Sequence, residues 1–339
     1  MNMISGKLFK RMAWMGLAIL CSCCLVMNAD AAAKASKDRA DKAVKREKPD
    51  KAPPPGTVIF MPAKGHIDLS QGTVEVVFSV AHSFGETFEV PPGQSSAIVA
   101  AFAMLYDNTG RQYYWHQKRD EGPLLFFGAR HNLRSGRSFL SILANRQPAS
   151  QDVDDAIRHG TYWSPPPDKE TLIKANQFYH AAATWKVEGN SCSYVMYFEG
   201  EKVKERERDL ESTNPGISDT DLVGIGHLIY PQCNIQSLRI SNRPRSAEEI
   251  AAGKTADFAK DDATTFLLNA DTIATLKKAS RQEIDRNIIG DGERKAKEGI
   301  PLKVAPGGTV FGDFKIMTTP DGKKAIQFFT PKAKLNETL

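Results

Sequence analysis

Cysteine is scarce in this chain and unevenly placed. Of five cysteines in 339 residues, Cys21, Cys23 and Cys24 crowd the start, and only Cys192 and Cys233 lie beyond. Past residue 24 there is no C-x-x-C and no Cys/His cluster, which removes a structural zinc site of the usual kind. The seven histidines form no H-x-H or H-E-x-x-H pair. No serine sits in a G-x-S-x-G nucleophile turn. A basic body is missing as well. Residues 1–33 carry three basic and one acidic residue and residues 34–51 eight and four, a surplus of +6. The chain's net charge is +5, so residues 52–339 stand near −1. Nucleic-acid recognition needs a basic excess that this body lacks.

A membrane-spanning run is also absent. Met12–Met27 is apolar but short of a span. Behind the basic residues Lys7, Lys10 and Arg11, and ahead of Ala29-Asp30-Ala31, it has the layout of a secretory leader. This predicts a signal peptide over 1–31, a mature chain with no transmembrane span, and a secreted or periplasmic, cell-envelope location. Lipoprotein anchoring is the alternative, through the poor lipobox Leu20-Cys21-Ser22-Cys23. Cleavage after Ala31 leaves Cys192 and Cys233, an even pair in an oxidising compartment. Read as a disulfide, they close a loop of about 40 residues worth roughly 4 kcal/mol in the chain-entropy model. Two unbridged thiols are the competing reading. Residues 32–55 are rich in Ala, Lys, Arg, Asp and Glu and end in Pro53-Pro54-Pro55. They read as a solvated tether, with a short helix as the alternative.

What the body has is short β-type runs. Val58–Phe60, Thr73–Val80, Ser96–Tyr106, Gln112–Trp115, Leu124–Phe127, Ser138–Leu143, His180–Trp185, Tyr194–Phe198, Leu222–Ile225 and Ile235–Ile240 are candidate strands. Asp107-Asn108-Thr109-Gly110 is a turn. Ser246 followed by Glu249 is a capping-box spacing that opens a short helix. The charge alternation over Glu201–Glu211 marks an exposed edge. Residues 144–177 interrupt the pattern and read as a long ordered loop or a short helix and turn. Many short strands between turns favour a sandwich over a parallel sheet.

Four stretches, in order, resemble the LamG-like (concanavalin A-like) jelly-roll family. Gly72-Thr73-Val74-Glu75-Val76-Val77-Phe78 is similar to its GT-[IV]-E-F-W strand, and Phe178–Trp185 to its W-H-H-V-A-A-T-W strand. Tyr194–Val203 is similar to its V-x-L-Y-V-D-G-x-L-V hairpin, with Glu199 in place of Asp. Ser237–Ala252 is similar to its closing strand, turn and helix, with Pro244 in place of Leu. The resemblance covers about residues 56–252. It implies an all-β, concanavalin A-like jelly-roll sandwich over 56–255 with a short helix after the closing strand. Residues 256–339 are then a small α+β extension, either late strands of that sandwich or the start of a second copy. Within it, Ala270–Ile289 is predicted helical, and Thr309–Met317 and Lys324–Thr330 form a hairpin.

The resemblance implies a non-enzymatic binding or adhesion module, recognising a carbohydrate or an extracellular or envelope protein surface. An envelope glycoside hydrolase or its accessory domain, and a purely structural scaffold, are the alternatives. Glucanases of this fold carry E-x-D-x-x-E on one strand; Glu283-Ile284-Asp285 begins that pattern, but no third acid follows. No catalytic residue is assigned. Ligand-binding candidates are the aromatics that can stack on a sugar ring: Tyr114, Trp115 and the adjacent His116, with Trp163, joined by Tyr162, in the long loop. Trp185 is read as core. No cofactor is required. Ca2+ at Asp152, Asp154 and Asp155 is a candidate, against the preferred reading of those residues as a loop or helix cap.

Overall fold

The computed structural model describes residues 57–80, 96–110, 123–132, 137–144, 161–163, 173–210, 216–226, 233–280 and 301–328. The strands in chain order are β1 (Val58–Pro62), β2 (Gln71–Val80), β3 (Ser96–Tyr106), β4 (Leu125–Asn132), β5 (Arg137–Ala144), β6 (Thr161–Trp163), β7 (Tyr179–Glu188) and β8 (Ser191–Phe198). They continue with β9 (Glu201–Asp209), β10 (Leu222–Gly226), β11 (Cys233–Ser241), β12 (Thr264–Asn269), β13 (Lys277–Lys278), β14 (Thr309–Phe311), β15 (Phe314–Thr318) and β16 (Lys324–Phe328). Two short helices, α1 (Ala247–Gly253) and α2 (Ala270–Ile273), flank β12.

The strands form two sheets. The first runs β13-β14-β1-β10-β3-β4-β5-β6, and the second β15-β16-β11-β2-β7-β8-β9, with β12 also paired to β11. All pairings between named strands are antiparallel except β13 with β14. Face to face, the sheets make a jelly-roll β-sandwich. Each strand's alternation supplies its half of the core. On β2, Val74, Val76 and Phe78 point inward at 0% exposure, while Val77 is half-buried on the other face. The register between β11 and β2 shifts between Ile235 and Ser237, where Ile235 pairs with Phe78 and Ser237 with Val77. The opposing inner face contributes Phe102, Phe127, Leu140 and Ile142.

The strands after residue 300 join this same pair of sheets. β14 pairs with β1, and β16 pairs with β11 through Asn234↔Gln327 and Ile235↔Ile326. Val310, Ile326 and Phe328 lie in the main core. A second apolar cluster covers one half of the first sheet's outer face. There Phe60 meets Tyr106 edge-on at 4.9 Å and Phe311 at 5.5 Å, and Leu302 packs on the cluster.

Three expectations change. Cys192 and Cys233 are not bridged; both are buried thiols. Topology explains why. Cys192 is on β8 and Cys233 on β11, with β7 and β2 between them. Cys233 pairs with Val80 at one end of β2, while Cys192 pairs with Val187, one step beyond the Lys186 that faces Gln71 at the other end. Three strand spacings of about 4.8 Å and a strand of roughly 30 Å separate them, far beyond the ~7 Å that a disulfide spans. The helix expected over Ala270–Ile289 is one turn, α2, capped by Asn269; β13 follows at Lys277. Residues 281–289 lie outside the described residues, as do the leader and tether. Third, Thr309–Met317 is not one hairpin arm: β14 belongs to the first sheet, and the hairpin is β15 with β16 in the second.

Candidate binding face and a buried charged latch

The family-like stretches meet on the outer face of the second sheet. Glu75 on β2, His180 on β7 and Arg239 on β11 lie in adjacent strands, at 0%, 2% and 8% exposure. Arg239 Nη2 donates to Glu75 Oε2 at 2.5 Å and Nε to the same oxygen at 3.2 Å. A carboxylate only accepts, so His180 Nε2 donates to Glu75 Oε1, at 3.0 Å. The guanidinium stacks over Phe258 at 4.9 Å, and the His180 ring meets the same phenyl edge-on at 6.1 Å. Helix α1 closes the cluster at Gly253, where a Cβ would stand 1.9 Å from Glu75 Oε1.

A carboxylate beside an imidazole can relay a proton. Here the lid leaves no room for a substrate, so the cluster works as a latch. Buried charges of this kind hold only while each has its partner; removing one costs ~3–5 kcal/mol. The rest of the signature serves the same joint. Thr73 Oγ1 donates to the Arg243 carbonyl at 2.8 Å and accepts from the Arg245 amide at 2.9 Å. Gly72 faces Trp185 across the ladder, and a Cβ there would meet the indole at 2.3 Å. Trp185 is core, at 1% exposure, with Nε1 donating to the Asp68 carbonyl. Ser246 and Glu249 form the full capping box. Arg243 holds Glu249 through Nη1 at 2.8 Å and Nη2 at 2.5 Å, and this contact pulls the Glu249 carboxyl down to about 2. Arg245 grips Asp261 with two bonds of 2.8 Å and lowers its pKa as well.

With that patch closed, the half of the first sheet's outer face away from Leu302 is the candidate binding face. Along β4, β5 and β6 its outer face carries Arg130, Phe139 and Ser141, all buried, and the exposed Tyr162. Arg130 pairs with Phe139 and stacks over its ring at 5.9 Å. Phe139 meets Tyr162 edge-on at 5.6 Å. Tyr162, at 44%, is one of two large apolar side chains exposed among the described residues. Directly opposite it stands Ser141, whose buried hydroxyl has no hydrogen-bond partner among the described residues. An orphan hydroxyl of this kind costs ~1–3 kcal/mol.

The aromatic candidates fare differently. Trp163 alternates to the inner face, half-buried, with its ring 5.0 Å from Phe198 at a 31° tilt. Its neighbour Tyr162 is the outward one. Tyr114, Trp115 and His116 lie outside the described residues, as do Asp152, Asp154 and Asp155. Asp107 serves as a turn former: its carboxylate accepts from the Thr109 amide and hydroxyl. Among the described residues, no three His, Cys, Asp or Glu gather to hold a metal ion, and no helix is long and apolar enough to cross a membrane. Sequence reasoning missed the Glu75–His180–Arg239 convergence. Its signal was one charged or polar residue amid apolar neighbours in three separate strands.

No family model matches the chain, and no curated protein matches it. Among solved structures it is similar to a native heptameric SAP-like pentraxin from Limulus polyphemus, at 12% identity over 64% of this chain and 82% of that one, TM-score 0.35. It is also similar to the Ruminococcus gnavus IT-sialidase CBM40 bound to alpha2,3 sialyllactose, at 12% identity over 60% and 95%, TM-score 0.33. Scytalido-glutamic peptidase matches at 8% identity over 59% and 85%, TM-score 0.27. A pentraxin, a sialidase CBM40 and a peptidase thus appear together, and likenesses of this size carry no argument about activity.

Proposed function

We propose that this chain is an exported, LamG-like binding module that holds a glycan on the β4–β6 half of the first sheet's outer face. The observation that carries this reading is the exposed ring of Tyr162, at 44%, edge-on to Phe139 on that face. An exposed aromatic face suits a sugar ring, which offers an apolar face to stack. The make-up of the first sheet supports binding over strand-borne hydrolysis. None of its eight strands carries Asp or Glu, whereas glycosidases need two carboxylates flanking the scissile bond.

A glycan array probed with the purified chain, with and without calcium, tests this. The expected result is retention of a restricted glycan set without cleavage. Release of reducing ends from a glucan, with no stable binding, would overturn it.

A further inference from the structure

Every open β-sheet ends in strands whose outer N–H and C=O groups are templates for another chain. In this sandwich nearly all such ends are guarded. β6 has three residues and lies against β9. β13 is two lysines. The free side of β12 is closed by the loop after β1: Thr265 Oγ1 donates to the His66 carbonyl at 2.7 Å, and the His66 ring meets Phe266 at 6.0 Å.

β9 is long, but every residue except Val203 is charged. Its register sorts those charges. Lys204, Arg206 and Arg208 pair with Met196, Tyr194 and Cys192, which face the core. Glu205, Glu207 and Asp209 pair with Val195, Ser193 and Ser191 on the other face. A second β9 laid antiparallel with its faces matched would set cation against cation and anion against anion. Like charges directly opposite are destabilising, so this edge refuses its own copy.

Among the described residues β15 is the end without such a guard, although Lys278 Nζ lies 4.7 Å over its Phe314 ring. Its five residues, FKIMT, carry one charge, Lys315. Ile316 is exposed at 43%. It pairs with Ile326 of β16, a core residue, so it faces the inner side of the sandwich at the sheet's open end. Placed on a two-fold axis through Ile316, two copies of β15 pair Ile316 with Ile316, Lys315 with Met317, and Phe314 with Thr318. No like charges meet, and the inner face gains an apolar pair where one copy leaves Ile316 in water.

We propose that the chain self-associates as a two-fold dimer through β15, joining two second sheets edge to edge. A five-residue edge buries less than the ~1,000 Å² of a stable specific interface, so the dimer is weak and concentration-dependent.

Sedimentation equilibrium of the full chain from low to high micromolar concentration tests this. A monomer–dimer equilibrium is expected across that range. Ile316→Lys sets two ammonium groups face to face on the axis, and Met317→Lys sets one opposite Lys315. Either variant is expected to remain monomeric at every concentration with a near wild-type melting temperature, while Tyr162→Ala keeps the dimer. A wild-type chain that is monomeric throughout would overturn the proposal. So would a dimer that both lysine variants form as strongly as wild type.

Discussion

Gly253 shows how a single residue can be held by its surroundings against its own propensity. In a helix, alanine is favoured over glycine by about 1 kcal/mol. At the end of α1 that gain loses, because a Cβ would meet the buried Glu75 carboxylate at 1.9 Å. Relieving it moves a charge gripped by both Arg239 and His180, and overpacking costs ~1–3 kcal/mol. Gly253→Ala is therefore expected to destabilise, read as a lower urea midpoint at unchanged slope. A gain in midpoint would show that α1 does not clamp the cluster. The cysteines give a second residue-scale outcome. Burial pushes the Cys233 thiol up to about 12, and the thiolate is the reactive form. Native protein at pH 8 is expected to resist iodoacetamide at Cys233, and a non-reducing peptide map should show no Cys192–Cys233 bridge.

At the scale of elements, strand positions and element ends were the legible part. The strands proposed over Ser96–Tyr106 and Thr73–Val80 and the Ser246 cap have close counterparts in the structure, because strand alternation and capping are local properties. The sheet partners of β11 and the latch were not legible, since Glu75, His180 and Arg239 lie far apart in the chain and only the sheet order makes them neighbours. The same limit explains the disulfide: two strands with a cysteine each say nothing of how many strands lie between. Helix α1 also has a testable pH signature. Glu249 is held at about 2, below the ~4.3 of an unperturbed glutamate. With a lowered folded pKa, its contribution is complete above the unfolded value and is lost as pH falls toward 2. Asp261, lowered by Arg245, adds in the same direction. The melting temperature is expected to fall between pH 5 and pH 2. The gap between wild type and Arg243→Ala should be constant above pH 5 and close toward pH 2. A gap unchanged down to pH 2 would remove the Arg243–Glu249 contact from the account of α1.

For the whole molecule, the decisive fact is that chain beyond the family-like stretch completes both sheets. A fragment ending at residue 255 loses β12, β14 and β16, and with them Phe266, Leu268, Val310, Ile326 and Phe328 from the core. At about 2 kcal/mol each, that is roughly 10 kcal/mol of burial, comparable to the entire stability of a typical domain. Residues 53–255 alone are expected to show no cooperative melt; a sharp one would make the late strands an accessory.

At this scale the division of labour also becomes clear. The signature residues close a patch of the second sheet's outer face around Glu75, and the proposed glycan site lies on the first sheet. The most direct test compares Tyr162→Ala with Arg239→Met by titration calorimetry against the glycan bound best by wild type. The expected result is at least a tenfold loss of affinity with an unchanged melting temperature for Tyr162→Ala. Arg239→Met should melt lower yet bind as wild type at a temperature where it is folded. Full affinity in Tyr162→Ala, or affinity lost in folded Arg239→Met, would contradict this assignment of roles.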